Sequence, residues 1–548
     1  MLCKITNYFL ITTINQKKVC IFALIMKNLC IKEMIKPCLS VIALTLIYTS
    51  IQASSIHKGV GCWRTLPKRH ESSVRMAGIR RAASSERTQF LGKKKGIVIL
   101  AEFPDIHFKE GHDAAKYKEI LNTPGYTTDE GFKGSVADYF HDQSNGLFEL
   151  GFDVLGPYVA ANNSEYYGQN DADGYDLHPE ELIAEMCKAA DDEVNFADYD
   201  WDGDGEVDEV FVVYAGMGEA DSYIENTIWP HMWSLEEAGT PLTLDNVSIN
   251  IYACSNELDI SNSITGIGTF CHEFSHCMGL PDLYDVFYDG YFGMSDFDLM
   301  SSGSYNGNSF CPAGYTAYEK MVCGWQEPIV LADEDVNISR MQPISEYGNT
   351  YILYNDAHPD EYYLIENRQK TQWDSHLPGK GLMITHVDYD AEVWSNNIPN
   401  SIISLSDAQS MGLTVGNDHQ RITIFHADND DDYDYWSHTG QFHTKTTLAK
   451  DLYPCDSNDS LTATSIPAAS LYNKNSEGTK LMRGAILDIT QNDDLTISFR
   501  YRAPQATVDA IRNVGDDRRS LPYYDLLGRK VRQPGRGIYI VRGKKVVL

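Results

Sequence analysis

The stretch 269-TFCHEFSHCMGLPDLYD-285 decides how the rest of the chain is read. His272 and His276 stand four apart with Glu273 beside the first, and Gly279 and Asp282 follow at intervals of three. On a helix, positions i and i+4 share a face, so the two imidazoles can grip one ion. A catalytic zinc takes three protein ligands and leaves one corner to a water, whose pKa it lowers. Glu273, one step round the helix, is placed to take and relay that water's proton. The helix supplies two ligands in this geometry, so the third must come from a chain that turns back. Gly279 tolerates the positive φ of such a turn, and Asp282 is presented on the return. The pattern is HExxHxxGxxD, with Asp282 as third ligand and Glu319 of "YTAYEKM" as the rival. A helix with two surface histidines is the plain alternative. Phe274, Cys277, Met278 and Leu280 make the segment too apolar for a solvated face.

Two neighbouring patterns extend this reading. In "FDLMSSGSYNG", Met300 is the candidate for an apolar floor beneath the histidines, of the Met-turn kind, and Tyr305 for a group that steadies an oxyanion. In "DYDWDGDGEVDE", residues 198–209, Asp200, Asp202 and Asp204 alternate, Gly205 makes a sharp turn and Asp208 follows. Such close-set carboxylates repel one another unless a hard cation sits among them. Calcium is therefore expected there, with Glu206 adding its main-chain carbonyl. The residue that would be the twelfth of an EF-hand loop is Phe211, so the loop lies outside a helix-loop-helix setting. His231, between Trp229 and Trp233, reads as a packed histidine. Glu257 and Asp259 could line the cleft, and "DNDDDYDYW" is an acidic loop.

The chain has 548 residues and a formal charge of −32 that is unevenly spread. Residues 1–55 carry six Lys against one Glu, and residues 56–95 carry eleven Lys/Arg against two Glu, leaving −46 on the remainder. An acidic body of that size repels phosphates and anionic membrane surfaces, which disfavours a nucleic-acid role. The segment "MIKPCLSVIALTLIYTSIQASS" has a lysine, a short apolar run and a small-residue exit near Ala53, as an export signal does. The run is short for a bilayer span of about 20 residues. The chain has twelve Cys and no CxxC pair, so no zinc-ribbon site is expected. Cys62, in the basic leader, could occupy the open zinc corner and hold an enzyme latent.

The expected organisation is a signal peptide with an over-long start (1–54), a basic pro-segment (55–95) and a catalytic domain (96–328). A β-sandwich domain (329–504) and a small β-rich tail (505–548) follow. "GIVILAEFPDI" and "VDEVFVVYAGMGEA" read as strands buried on both faces. "SVADYFHDQSNG" and "PEELIAEMCKAADDEV" carry helical stripes. The fold class is therefore α+β, an α/β metzincin-like catalytic domain built round the zinc helix. Short alternating strands such as "KGLMITHVDYD" and "AILDITQNDDLTISFRYR" follow it.

Taken together, "GIVILAEFPDI", "ADYFHDQSNGLFEL", "DYDWDGDGEVDEVFVVYAG", "IWPHMWSL", "CHEFSHCMGLPDLYD" and "DLMSSGSYNG" resemble the immune inhibitor A family of secreted zinc metallopeptidases. The likeness covers roughly residues 95–328 and continues through "LIENRQ" and "GLMITHVDYD" into the β-rich region. It implies a zinc endopeptidase made as a pro-enzyme with structural calcium. His272, His276 and Asp282 would be the zinc ligands and Glu273 the base. The end of the chain, "YYDLLGRKV" and "GIYIVRGKKVVL", resembles a type IX secretion sorting domain, which implies that machinery as partner and a secreted or cell-surface location reached through the periplasm. Protein or peptide substrates, no stable membrane span and a monomer are expected. The rival readings are a zinc hydrolase of non-peptide amides and a surface adhesin with an inactive zinc site.

Overall fold

The computed structural model describes residues 90–171, 175–222, 224–287, 289–431 and 445–504, with short strands at 523–524, 530–531, 538–541 and 544–547. The signal peptide, nearly all of the basic leader with Cys62, and most of the acidic run after Asp431 lie outside the described residues.

The central sheet contains β1 (Gly92–Glu102), β2 (Phe148–Val159), β3 (Val210–Met217), β4 (His231–Ser234) and β5 (Ile251–Leu258), in the order β2-β1-β3-β5-β4. The first four strands in that order are mutually parallel, and β4 closes the edge antiparallel to β5. Alternation explains why the strand sequences are continuous apolar runs. Val98 and Leu100 of β1, Phe211 and Val213 of β3 and Ala253 of β5 enter one core. Ile97, Ile99, Val210, Val212 and Cys254 enter the other. With both faces covered, the middle of β1 and of β3 is apolar throughout.

Helices α1 (Ala114–Asn122) and α2 (Val136–Gln143) cover the first face, and α3 (Pro179–Ala190) covers the second. The stripe expected on α2 is buried through Val136, Tyr139 and Phe140, and Ser135 and Asp138 cap the helix reciprocally. On α3, Leu182, Ile183, Met186 and Ala190 are all buried.

One boundary differs from expectation. The basic run Lys93–Lys95 does not end a leader but lies inside β1, paired with β2. Lys93 and Lys95 meet Glu149 and Asp153 at 3.1 and 2.8 Å, and Lys94 Nζ donates to the Trp201 carbonyl. The ladder holds this run as strand while the side chains of Lys93 and Lys95 stay exposed.

After α4 (Gly268–Cys277) and α5 (Ala317–Val322) the architecture becomes β-rich without leaving the same compact unit, which runs to Arg502. In this part lie β6 (Ile329–Val330), β7 (Val336–Met341), β8 (Tyr351–Tyr354), β9 (Glu361–Arg368), β10 (Gly381–Asp388), α6 (Ala391–Ser395), β11 (Ile422–Ile424), β12 (Ala485–Gln491) and β13 (Ile497–Arg502). They form a five-stranded sheet, β11-β10-β9-β8-β6, and a three-stranded one, β12-β13-β7. Leu364, Met383, Trp394 and Ile422 belong to the core that also holds Phe274 of α4. The residues of "LIENRQ" explain part of the attachment. Arg368 is fully buried, forks onto Asp374 (2.7 and 3.0 Å), and reaches Glu366 Oε1 and the Gly314 carbonyl at 3.1 Å. Glu366 in turn accepts from Ala317 N at the start of α5. A bidentate guanidinium suits such a desolvated carboxylate.

The unit Ala503–Leu548 contains β14 (Tyr523–Tyr524), β15 (Lys530–Val531), β16 (Ile538–Val541) and β17 (Lys544–Val547), an antiparallel sheet in the order β15-β14-β16-β17. All seven cysteines among the described residues are free thiols, six of them buried as small apolar side chains. No helix among the described residues is long and apolar enough to cross a membrane.

Glu361 supplies a test of this β-rich packing. It is buried and accepts from His386 Nε2, Asn355 Nδ2, Tyr472 N and Asn473 N. Burial alone would raise its pKa; these donors outweigh that and lower it from 4.5 to about 2. Its contribution is complete above the unfolded value and fades as pH falls toward 2. We expect Glu361→Gln to cost about 2 to 3 kcal/mol in urea denaturation at pH 7. The gap from wild type should narrow when the measurement is repeated at pH 3.

Candidate metal centre

Helix α4 lies across the core with His272, Glu273 and His276 all buried. Two glycines let its N-terminus approach the turn Ser302–Tyr305. A Cβ on Gly268 would lie 1.8 Å from the Ser304 carbonyl oxygen, and one on Gly266 would lie 2.2 Å from the Ser309 carbonyl carbon. The helix ends at Gly279, whose φ of 86° turns the chain back as its position in the sequence predicts.

His272 Nε2 lies 3.1 Å from His276 Nε2 and 3.1 Å from Asp282 Oδ1, and His276 Nε2 lies 3.3 Å from the same oxygen. The remaining ring nitrogens face main-chain carbonyls: His272 Nδ1 meets Leu299 O at 2.9 Å and His276 Nδ1 meets Leu280 O at 2.7 Å. A carbonyl only accepts, so each Nδ1 is assigned the proton and each Nε2 of a neutral ring presents a lone pair. Three electron-rich atoms thus converge on one point, which repels unless a cation occupies it. Tetrahedral zinc with bonds of about 2.1 Å sets its ligands about 3.3 Å apart, so this donor set fits that ion. Burial tends to raise the Asp282 pKa, but the adjoining His276 and His272 hold it below the ordinary carboxylate value.

Glu273 stands beside this cluster with both carboxylate oxygens buried and no hydrogen-bond partner among the described residues. Burial first, and also the Asp282 charge, raise its pKa to about 8 against the pull of His272. A dication in the cluster would oppose that rise. A buried carboxylate left unpartnered is a group shaped for a water or a substrate.

The rival ligand Glu319 is engaged elsewhere. It caps α5 through Thr316 N and Oγ1. Burial, followed by the charge of Asp298 lying against it, holds its pKa well above the ordinary value. Asp298 Oδ1 accepts from Met300 N at 2.7 Å, so this carboxyl pair braces the turn that offers Leu299 O to His272. Met300 is buried in that turn, its carbonyl accepting from Leu283 N at 2.7 Å, and Tyr305 is half-buried at the end of the next one.

Of the second expected site, Asp200, Asp202 and Asp208 bring carboxylate oxygens within 4.8 Å of one another. Asp204 Oδ1 accepts from Glu206 N at 3.0 Å. Trp201 anchors the loop to β1 through a 2.8 Å bond to Lys95 O. His231 is buried between Trp229 O and the Tyr252 hydroxyl, the packed histidine expected. Glu257 is buried, accepting from Lys109 N, Gly216 N and His112, and so holds the chain after β1 against β3 and β5. Asp259 closes an exposed turn with Ser261 and Ser263.

Two residues at the site were invisible in the sequence. Asn397, beyond α6, bonds Asp282 twice at 2.7 Å. Glu209 is buried against Cys277 of α4, its pKa lifted by burial and by the Asp208 and Glu273 charges. "WSNNIP" reads as a turn and "EVDEVF" as a strand edge, so neither carried a signal.

Residues 90–324 match the family described as immune inhibitor A peptidase M6, catalytic domain. Among curated proteins, the chain is 27% identical over 254 residues to the pre-pro-metalloprotease PrtV of Vibrio cholerae serotype O1 (strain M66-2), covering 39% of this chain and 27% of that one. It is 23% identical over 293 residues to immune inhibitor A of Bacillus thuringiensis subsp. alesti, covering 45% of this chain and 42% of that one. The alignments thus span less than half the length of either relative.

If Asp282 rather than Glu319 completes the donor set, elemental analysis will separate the two. Asp282→Ala should purify with well under one equivalent of zinc, and Glu319→Gln with close to one.

Proposed function

We propose that the protein is an exported zinc-dependent endopeptidase made as a pro-enzyme. The observation that carries this reading is the convergence of His272 Nε2, His276 Nε2 and Asp282 Oδ1 beside the unpartnered carboxylate of Glu273. The match to a peptidase catalytic domain over residues 90–324 supports it independently. A relative named as a pre-pro-metalloprotease supports reading residues 1–54 as signal peptide and 55–95 as pro-segment.

His272, His276 and Asp282 would hold the zinc, which supplies Lewis acidity toward water and the scissile carbonyl. Glu273 takes a proton from the attacking water and returns it to the leaving amine nitrogen as the C–N bond breaks. The carbonyls of Leu280 and Leu299 keep both imidazoles in one tautomer and orientation. Tyr305, on the turn packed against α4, is assigned to the oxyanion, and Met300 to the apolar floor of the site. Asp200, Asp202 and Asp208 form a structural calcium site, completed by Asp204 and the main-chain carbonyl of Glu206. The cation would lock the entry to β3, since Asp208 lies two residues before that strand. The tail, with its four short strands, is the sorting domain of a type IX route to the cell surface.

Casein digestion tests the peptidase reading. Chelation should abolish cleavage and zinc should restore it. Glu273→Ala should retain the metal while kcat falls about 10²- to 10⁴-fold. Equal cleavage by wild type and variant would refute the assigned role of Glu273. For the loop, millimolar calcium should raise the thermal midpoint of wild type by an increment that Asp200→Asn loses.

A further inference from the structure

The loop that carries the third ligand is held in part by main-chain bonds, Leu283 N to Met300 O and Met294 N to Leu283 O. Around Asp282 itself it is also held by side chains from residues 397–423, all beyond the end of the matched catalytic segment at 324. Asn397 Nδ2 donates to Asp282 Oδ2 and Asn397 Oδ1 accepts from Asp282 N, both at 2.7 Å. Asn400 Nδ2 donates to Leu283 O at 2.9 Å, and Ser401 Oγ accepts from Val286 N at 2.8 Å. Further along, Gln420 Oε1 accepts from Gly293 N at 2.7 Å and Thr423 Oγ1 donates to Gly293 O at 2.8 Å.

This clamp is itself held rigidly. Asn397 is buried in the left-handed region (φ 55°), and its N–H closes the turn onto Trp394 O. The indole of Trp394, fully buried, donates to Tyr318 OH on α5. Asn417 Nδ2 donates to Ile398 O and Ser401 O, each at 2.9 Å, and Ile422 N donates to Asn400 Oδ1.

We propose that this downstream segment is an integral part of the metal centre and that Asn397 is its positioning residue. By occupying Oδ2, Asn397 leaves Oδ1 as the atom that faces both imidazoles. A carboxamide places donor and acceptor on two separate atoms, so Nδ2 meets the carboxylate while Oδ1 meets the same residue's N–H. Leucine would remove both bonds, and aspartate would oppose a second negative charge to Asp282. The proposal rests on reading His272, His276 and Asp282 as the ligand set. Its consequence is that metal affinity depends on a region that pattern alone would assign to an accessory domain.

The test uses the full chain. Zinc dissociation constants are measured by competition with a chromophoric chelator, and the visible spectrum of the cobalt-substituted protein reports coordination. Asn397→Leu should weaken zinc about 10- to 100-fold and change the cobalt spectrum; because a leucine at this positive φ also lowers the thermal midpoint, affinities are compared only in variants that are folded by circular dichroism. Asn397→Asp, which keeps the shape, should weaken zinc at least as much and serves where the leucine variant does not fold. Asn396→Ala, in the same turn but bonded to Glu392 and Thr414, should bind zinc as wild type does. Wild-type affinity and spectrum in folded Asn397 variants would overturn the clamp alone. A wild type that takes up no zinc would overturn the ligand set and the clamp with it.

Discussion

Three lone-pair-bearing atoms brought within 3.3 Å of one another are the constraint on which the rest of the structure depends. Left to themselves two imidazoles and a carboxylate would separate or take up protons, so the fold has to oppose that. It does so with main-chain carbonyls on each Nδ1, with glycines that let α4 sit against the 302–305 turn, and with a carboxyl pair that braces that turn. Each device acts away from the converging atoms themselves, where a polar group can be satisfied in the dry interior.

The β-rich region supplies two further supports. Arg368, with Glu366 and Asp374, fixes Gly314 and the start of α5, and thereby the helix that carries Glu319 toward Asp298. Asn397 and its neighbours fix the loop that carries Asp282. A continuous apolar core running from Phe274 to Trp394 and Ile422 makes both attachments stiff. The change of pattern near residue 328 is therefore a change of architecture within one compact body, and the strands beyond it act on the site through buried polar contacts.

The sequence by itself determined the elements and the identity of the candidate donors. The apolar runs of β1 and β3, the stripes of α2 and α3, the His272–His276 pair on one helical face and the turn at Gly279 are all local, set by periods of two or 3.6 residues and by one backbone conformation. Where local composition misled, a longer-range force had intervened: the lysines of β1, read as part of a leader, join a ladder with β2. The spacing after Gly279 favoured Asp282 over Glu319, and tertiary structure decided how each carboxylate is engaged. Asp282 and Glu319 are equally capable ligands as chemistry. What separates them is a partner more than a hundred residues away in one case and a capping threonine in the other. Spacing cannot supply those partners, because they depend on which surfaces come together when the core closes.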